Sequence, residues 1–587
     1  MYTVLKNTQI VIALLKEYGI KHIVISPGTR NGPFVHSVEE DSYFKCYSVV
    51  DERSAAFFAL GIAKQLREPV VISCTSSTAA CNYYSAVAEA YYSHIPLVVL
   101  TSDRNPQSRN QFEKQQIEQS GMYGKMIRKA VDLPMDINCD EDFWYCERLV
   151  NEALLELDHR EGGPVQINLP AYYNMEVFTE KTLPRVKRIY RNELRSLHTN
   201  HELSLVEKLH NANKIMMQIG SSAPWSEERK QKARDFCRKY NCTIVAQHMS
   251  NTGLEEALNI TAGTDICNCL SKAEPEIFIS TAGPTQMMYY EKLRKSNTQH
   301  WLISKDGEIQ DPTHHITEIF ETSIDEFFEY FISQADESWT NNEIYHNELI
   351  GALKAYTDSR PTLTKLTNIY VYQEFCKLVP SGSLVGMSIL NAIRGVETFP
   401  LPENVEVYAN VGAYGIDGCM STFIGQATVT DKPAYLVIGD LSFIYDMNSI
   451  WIRHVSDNIH ILLVNNHEGI EMHRSFRNHG DLRRFITAGH KASPKGWIEE
   501  NGFHYYTASS IDELDEVLPV FMEDNRKCVL EVFTNEQDDT TEAFEFYSYS
   551  NDASAGLKSA VKSVLGTEGT YKLKNFLERN NDMERQK

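Results

Sequence analysis

Residues 434–440 read AYLVIGD and residues 459–469 read IHILLVNNHEG. The apolar runs Ala434–Ile438 and Ile459–Val464 have the length and β-branched content of buried strands. The first is followed at once by Gly439 and Asp440, the second by Asn465 and Asn466. A carboxylate beside a buried strand loses hydration, so an acid placed there needs a partner. The spacing of 26 residues (440 to 466) puts an Asp and an Asn at the C-terminal ends of two strands. One carboxylate and one amide oxygen are hard donors suited to Mg²⁺, which completes its octahedron with water and phosphate oxygens. A backbone carbonyl at about Glu468 is a third candidate ligand. The competing reading makes Asp440 a helix cap and the two asparagines turn residues.

Outward from that stretch, GSLVGMS, VEVYANVG and KCVLEVFT complete a unit of short strands, each delivering polar residues at its C-terminal end. The first 183 residues are built in the same style. HIVIS leads into PGTR, PVVISCT into SSTAACN, IPLVVLTSD into RNP, and GPVQINLP closes the segment. Between the two, KIMMQIG, CTIVAQ, PEIFIST and HWLISKDG mark a smaller unit. Strands alternating with helical patterns predict parallel sheets covered by helices, with ligands at the C-terminal strand ends. The expected fold class is therefore α/β, with three doubly wound parallel-sheet domains over 1–183, 197–336 and 350–549. A charged linker is expected over Glu180–Ser196 and a helical tail over 550–587.

The chain has 587 residues, 42% of them hydrophobic and 23% charged, too long for one core. Its net charge of −22 argues against a nucleic-acid partner, whose phosphates it would repel. The N-terminal apolar runs are too short and too interrupted for a signal peptide or a membrane span. Twelve cysteines without framework spacing suit a reducing, cytoplasmic setting. The close pair Cys267 and Cys269 is a weak metal signal, and buried thiols explain it as well.

GD followed by NN resembles the thiamine diphosphate fingerprint, in which these side chains hold Mg²⁺ (or Mn²⁺) against the diphosphate. That resemblance calls for an acid in the first unit, and VVDERSAAFFALGIAK supplies Glu52 at the junction of a strand-like YSVVD and an apolar helix. Such a glutamate hydrogen-bonds the cofactor's pyrimidine nitrogen and so activates it. Alone, Glu52 is also explained as a first-turn acid on a helix dipole. With ISPGTRNGP, CTSSTAACNYYSAVAEA, IPLVVLTSDRNP, DPTHH, YANVGAYGIDG and GDLSFIYDMN added, the chain resembles one family from about Leu15 to Val532. That family is the 2-succinyl-5-enolpyruvyl-6-hydroxy-3-cyclohexene-1-carboxylate synthases of menaquinone biosynthesis.

The resemblance implies pyrimidine-binding, central and diphosphate-binding domains, and a homodimer or tetramer with sites at the subunit interface. It implies that Ile416 wedges the cofactor into its bent shape, with Gly439, Asp440, Leu441, Ser442 and Asn466 around the diphosphate. Ser26, Thr29, Arg30, Arg104, Gln115 and Ser388 fall where the family binds substrate, with Gln115 and Ser388 also counted as catalytic. In the family a 2-oxo acid, 2-oxoglutarate, loses CO₂, and the resulting carbanion adds to an acceptor, isochorismate. Arginine suits the substrate carboxylates because its fork is bidentate.

This sequence departs from the family among substrate residues. Val411 and Ala392 stand where the family has arginines for the donor's distal carboxylate, and Arg394 lies two positions on, pointing about 200° away on a helix. Residues Pro284–Tyr290 replace a cationic segment, and HEG follows NN in place of the family's glycine-rich NGG. His473, Arg474 and Arg477 are candidate replacement cations. The expectation is a thiamine diphosphate enzyme with intact cofactor residues and a changed donor, acceptor or both. A simple 2-oxo-acid decarboxylase and a catalytically silent binding subunit are the alternatives.

Overall fold

A computed structural model describes residues 1–172, 177–189, 200–260, 274–285, 290–358, 360–475 and 485–548. The tail expected over 550–587, the pair Cys267 and Cys269, and Arg477 lie outside these residues.

Three parallel sheets follow one another along the chain. The first contains β1 (His22–Ile25), β2 (Lys45–Ser48), β3 (Val70–Cys74), β4 (Leu97–Asp103), β5 (Lys129–Asp132) and β6 (Val165–Pro170) in the order 2-1-3-4-6-5. The second contains β7 (Ile215–Ile219), β8 (Cys242–Ala246), β9 (Ile277–Thr281), β10 (Gln299–Ile303) and β11 (Ile316–Phe320) in the order 11-10-9-7-8. The third contains β12 (Leu384–Met387), β13 (Glu406–Ala409), β14 (Ala434–Gly439), β15 (Ile459–Asn465), β16 (His504–Ala508) and β17 (Cys528–Phe533). Its order, 13-12-14-15-17-16, repeats that of the first sheet strand for strand.

Strand order reverses between β1 and β3 in the first sheet and between β12 and β14 in the third. A crevice opens at the C-terminal strand ends at such a switch point, where ligands bind in open α/β sheets. Both crevices carry motif residues: Ser26–Arg30 follow β1, Ser388 follows β12, and Asp440 follows β14.

The two outer units share a core. The helix Glu52–Leu66 crosses the helix Cys419–Ala427 at glycines, because a Cβ on Gly61 would lie 1.9 Å from the Thr422 carbonyl oxygen. A Cβ on Gly425 would lie 2.1 Å from the Phe58 carbonyl oxygen. Around this crossing, Val24, Phe58 and Leu60 from the first unit join Phe423, Ile424 and Leu463 from the third in one apolar cluster. Burying each such side chain contributes about 1.5–3 kcal/mol, which holds the sheets in fixed relation.

One local expectation needs correction. The strand read as YSVVD ends at Ser48, because Val50 and Asp51 turn outward before the helix begins at Glu52. The segment read as a linker is irregular over 181–189 and is tied down on the first unit. Lys187 N–H donates to Glu147 (2.5 Å), Ile189 N–H donates to Asn151 Oδ1 (2.9 Å), and Leu183 and Val186 pack on the first unit's core.

Candidate active site

In the third sheet, β14 and β15 run side by side with Gly439 opposite Val464, so Asp440 and Asn466 emerge from neighbouring strand ends. Asp440 is the first residue of the helix Asp440–Tyr445, and Gly439 holds the extended cap position with open space where a Cβ would be. Asp440 is buried. Its Oδ1 accepts from Leu441 N–H at 2.7 Å and its Oδ2 from His490 Nε2 at 3.2 Å. Burial raises its pKa, opposed by the Leu441 N–H and by His490.

Asn466 donates its amide N–H to Asp539 Oδ2 (3.1 Å), which turns its oxygen the other way, where Glu468 N–H donates to it (3.2 Å). Asp539 is in turn held by Asn368 N–H (2.8 Å) and the Thr534 hydroxyl (2.7 Å). Burial pushes the Asp539 carboxyl up to about 6. The Glu468 carboxylate pairs with His473. His467, the first residue of the HEG that stands for the family's NGG, adopts a left-handed φ of 64°. Its N–H donates to Asn465 Oδ1 at 3.0 Å, which helps hold that conformation.

One carboxylate and one oriented amide oxygen fit a hard divalent cation that takes its remaining ligands from phosphate and water. Among the described residues no group of three His, Cys, Asp or Glu side chains forms a metal cage. A cation held here therefore needs oxygens from another molecule. Across the crevice, Gly439 N–H donates to Ser388 Oγ (3.4 Å), and the Ser442 hydroxyl donates to the carbonyl of half-buried Ile416 (2.8 Å). Leu441 is likewise half-buried beside them.

Glu52 heads the helix Glu52–Leu66, with Asp51 capping by accepting from Ser54 N–H (3.0 Å). The Glu52 carboxylate is half-buried, and no side chain among the described residues hydrogen-bonds it or pairs with it. Burial raises its pKa, its own backbone N–H lowers it, and Asp51 raises it. A sheltered acid without a protein partner is what a ring nitrogen of a bound cofactor would satisfy.

Around the first crevice, Arg30 N–H donates to Thr75 Oγ1 (3.3 Å), and a Cβ on Gly28 would lie 2.3 Å from the Thr75 side chain. Ser26 and Arg30 are buried; Thr29 is exposed. Arg104 pairs with Glu113 (3.0 Å). Gln115 is exposed in a left-handed turn (φ 58°), and its carbonyl accepts from the Ser76 hydroxyl (2.9 Å).

Within one chain, the residues on either side of Glu52 touch the segment that follows Asp440. Asn448 donates to Asp51 Oδ2 (2.9 Å) and Arg53 donates to the Tyr445 carbonyl (2.8 Å). Tyr445 is the last residue of the helix that Asp440 begins, and Asn448 lies just beyond it.

Sequence reasoning missed Asp539, His490 and Glu89. Glu89 is a buried acid that accepts from Gly412 N–H (3.2 Å) and Ala413 N–H (2.7 Å) and lies 3.7 Å from Lys64 Nζ. Its setting in the apolar helix SAVAEA was the available signal. Val411 and Ala392 are buried in the third unit's apolar core, and Arg394 pairs with Glu471 (2.8 Å).

Residues 5–122 match the thiamine pyrophosphate enzyme N-terminal binding domain. The chain is similar to a 2-succinyl-5-enolpyruvyl-6-hydroxy-3-cyclohexene-1-carboxylate synthase of Bacteroides fragilis, with 34% identity over 93% of this chain and 99% of the relative. The synthase so named in Phocaeicola vulgatus is 33% identical over 93% and 99%, and that of Flavobacterium psychrophilum 30% over 91% and 97%. With a half-buried acid at the head of a helix in the first unit, an Asp and an Asn at neighbouring strand ends in the third, and likeness along nearly the whole length, the chain belongs to the 2-succinyl-5-enolpyruvyl-6-hydroxy-3-cyclohexene-1-carboxylate synthase family, the thiamine diphosphate-dependent transferases of menaquinone biosynthesis.

Proposed function

We propose that Asp440 and Asn466, with a carbonyl near Glu468, hold Mg²⁺ or Mn²⁺ against the diphosphate. On this reading Glu52 of a second copy of the chain serves the pyrimidine ring. The observation that carries it is the half-buried Glu52 carboxylate, which no side chain among the described residues hydrogen-bonds or pairs with. Bound thiamine diphosphate supplies a nucleophilic carbon and an electron sink for loss of CO₂ from a 2-oxo acid. Glu52, its pKa raised, holds a proton at the ring nitrogen. Gly439, Leu441 and Ser442 would line the diphosphate seat, and Ile416 would pack an apolar side chain against the bound cofactor. Ser26, Thr29, Arg30 and Arg104 bind the substrate carboxylates, and Gln115 and Ser388 bound the space where the acceptor meets the carbanion. Arg104 exchanges Glu113 for substrate when it does so.

One observation favours a donor unlike that implied by the relatives' succinyl product. The two positions expected to carry donor-binding arginines hold Val411 and Ala392 inside an apolar core, and the nearby Arg394 is matched by Glu471. An unpaired distal carboxylate against such a wall costs several kcal/mol, on the order of 3–5. The donor we favour is therefore a 2-oxo acid with a short uncharged side chain, of the pyruvate class.

The test is CO₂ release by the protein with thiamine diphosphate and Mg²⁺, over a panel of 2-oxo acids, with and without isochorismate. Release from pyruvate-class acids, coupled to product with an acceptor, is expected. Release only from 2-oxoglutarate shows that other cations serve the distal carboxylate. Aldehyde without coupled product makes the protein a simple decarboxylase, and no release from any acid, without cofactor binding, a silent one.

A further inference from the structure

His490 lies 50 residues beyond Asp440 in sequence and returns to it in space. Three contacts fix its ring and its place. Its backbone N–H donates to the His467 carbonyl at 2.9 Å, tying it to the turn that follows Asn466. Its Nδ1 accepts from Ala492 N–H at 3.2 Å. An Nδ1 that accepts leaves the ring proton on Nε2, and Nε2 sits 3.2 Å from Asp440 Oδ2. The imidazole is therefore set as an N–H donor to the very carboxylate assigned to the cation.

The neighbouring ring supports this placement. His467 stands edge-on to His490 at 5.5 Å and stacks on Phe533 at 6.0 Å. His467 reaches that position only through its left-handed backbone, a conformation that glycine adopts more readily. The HEG turn and the TAGHKA segment thus form one small assembly over Asp440, with His490 largely covered.

We propose that His490 is a positioning residue for the divalent cation: by donating Nε2–H to Asp440 Oδ2 it fixes that carboxylate's rotamer and steers its free lone pairs toward the metal. This rests on the assignment of Asp440 as a metal ligand. It extends to the third unit the general pattern in which groups bonded to a metal ligand set its orientation and are worth about 10–100-fold in metal affinity.

The experiment is titration of the full-length protein with Mn²⁺ in the presence of thiamine diphosphate, reading free Mn²⁺ by electron paramagnetic resonance. The parent is compared with His490→Ala, His490→Gln and Asp440→Asn. His490→Ala is expected to weaken Mn²⁺ binding by about tenfold or more. His490→Gln, whose amide N–H reaches the same carboxylate, is expected to restore most of it. Binding by His490→Ala equal to the parent's, with Asp440→Asn defective, overturns the role of His490 alone. Equal loss in the Ala and Gln variants also overturns it, because packing rather than the donated N–H is then at stake. Undiminished binding by Asp440→Asn overturns the metal assignment and the inference together.

Discussion

A carboxylate enclosed by apolar neighbours must be held by donors, and Asp446 is held by two from a single residue. Ser421 gives its backbone N–H and its hydroxyl, both at 2.6 Å. Burial nevertheless dominates and pushes the Asp446 carboxyl up to about 6. Between the ordinary carboxylate range near 4 and this value, the folded chain binds the proton more tightly than the unfolded chain does. Stability from this group is therefore present at low pH and declines as pH rises through about 6. Asp446→Asn keeps the shape and removes the titration. Its unfolding midpoint should gain on the parent's from pH 4 to 6 and gain no more above that. The slope is about 1.4 kcal/mol per pH unit at its steepest. A parallel pair of curves would show that Asp446 titrates normally. At this scale the sequence was legible where chemistry is local. Gly439–Asp440 and the Asn pair announce themselves by following apolar runs, and Glu52 by heading an apolar helix. His490 and Asp539 were not legible, because their meaning lies in contacts to Asp440 and Asn466 made 50 and 73 residues away.

The interior strands of each sheet were readable as continuous apolar runs because both of their faces are covered. β5, β11 and β16 were not, and all three are edge strands with mixed burial along their length. With one side unpaired and a face partly wet, they lack the apolar signature that marks their neighbours. The helix crossing at Gly61 and Gly425 was also hidden, since a helical glycine reads as a weak point until its partner is known. Gly61→Ala should therefore destabilise the fold, although alanine favours helix by about 1 kcal/mol. The methyl would meet the Thr422 carbonyl at 1.9 Å, and forced separation of packed helices costs about 1–3 kcal/mol. A lowered thermal midpoint is expected. A raised midpoint would mean that the helices separate freely.

At the scale of the whole molecule, the duplicated strand order was visible only as a likeness of style between the first and third units. Which crevice serves which was not, because a sequence does not say whether one copy or two complete a site. If two copies complete each site, Glu52→Gln and Asp440→Ala are each inactive alone but complement one another. A mixed dimer then carries one site with both residues intact, so unfolding and refolding an equal mixture should restore about a quarter of parental activity. Failure to recover any activity would place both residues in one chain's site.

The shared core around Phe58, Phe423 and Leu463 bears on how such a chain can be cut and inherited. Cleavage between the second and third units would strand apolar surface on both outer pieces, leaving neither able to stand alone. The middle sheet carries a cluster of its own around Phe236, Trp301 and Phe331. The outer two must travel as a pair, and the middle unit, although it keeps a core of its own, would leave behind a buried Glu397 that His248 and Met249 N–H now satisfy (2.6 and 3.1 Å).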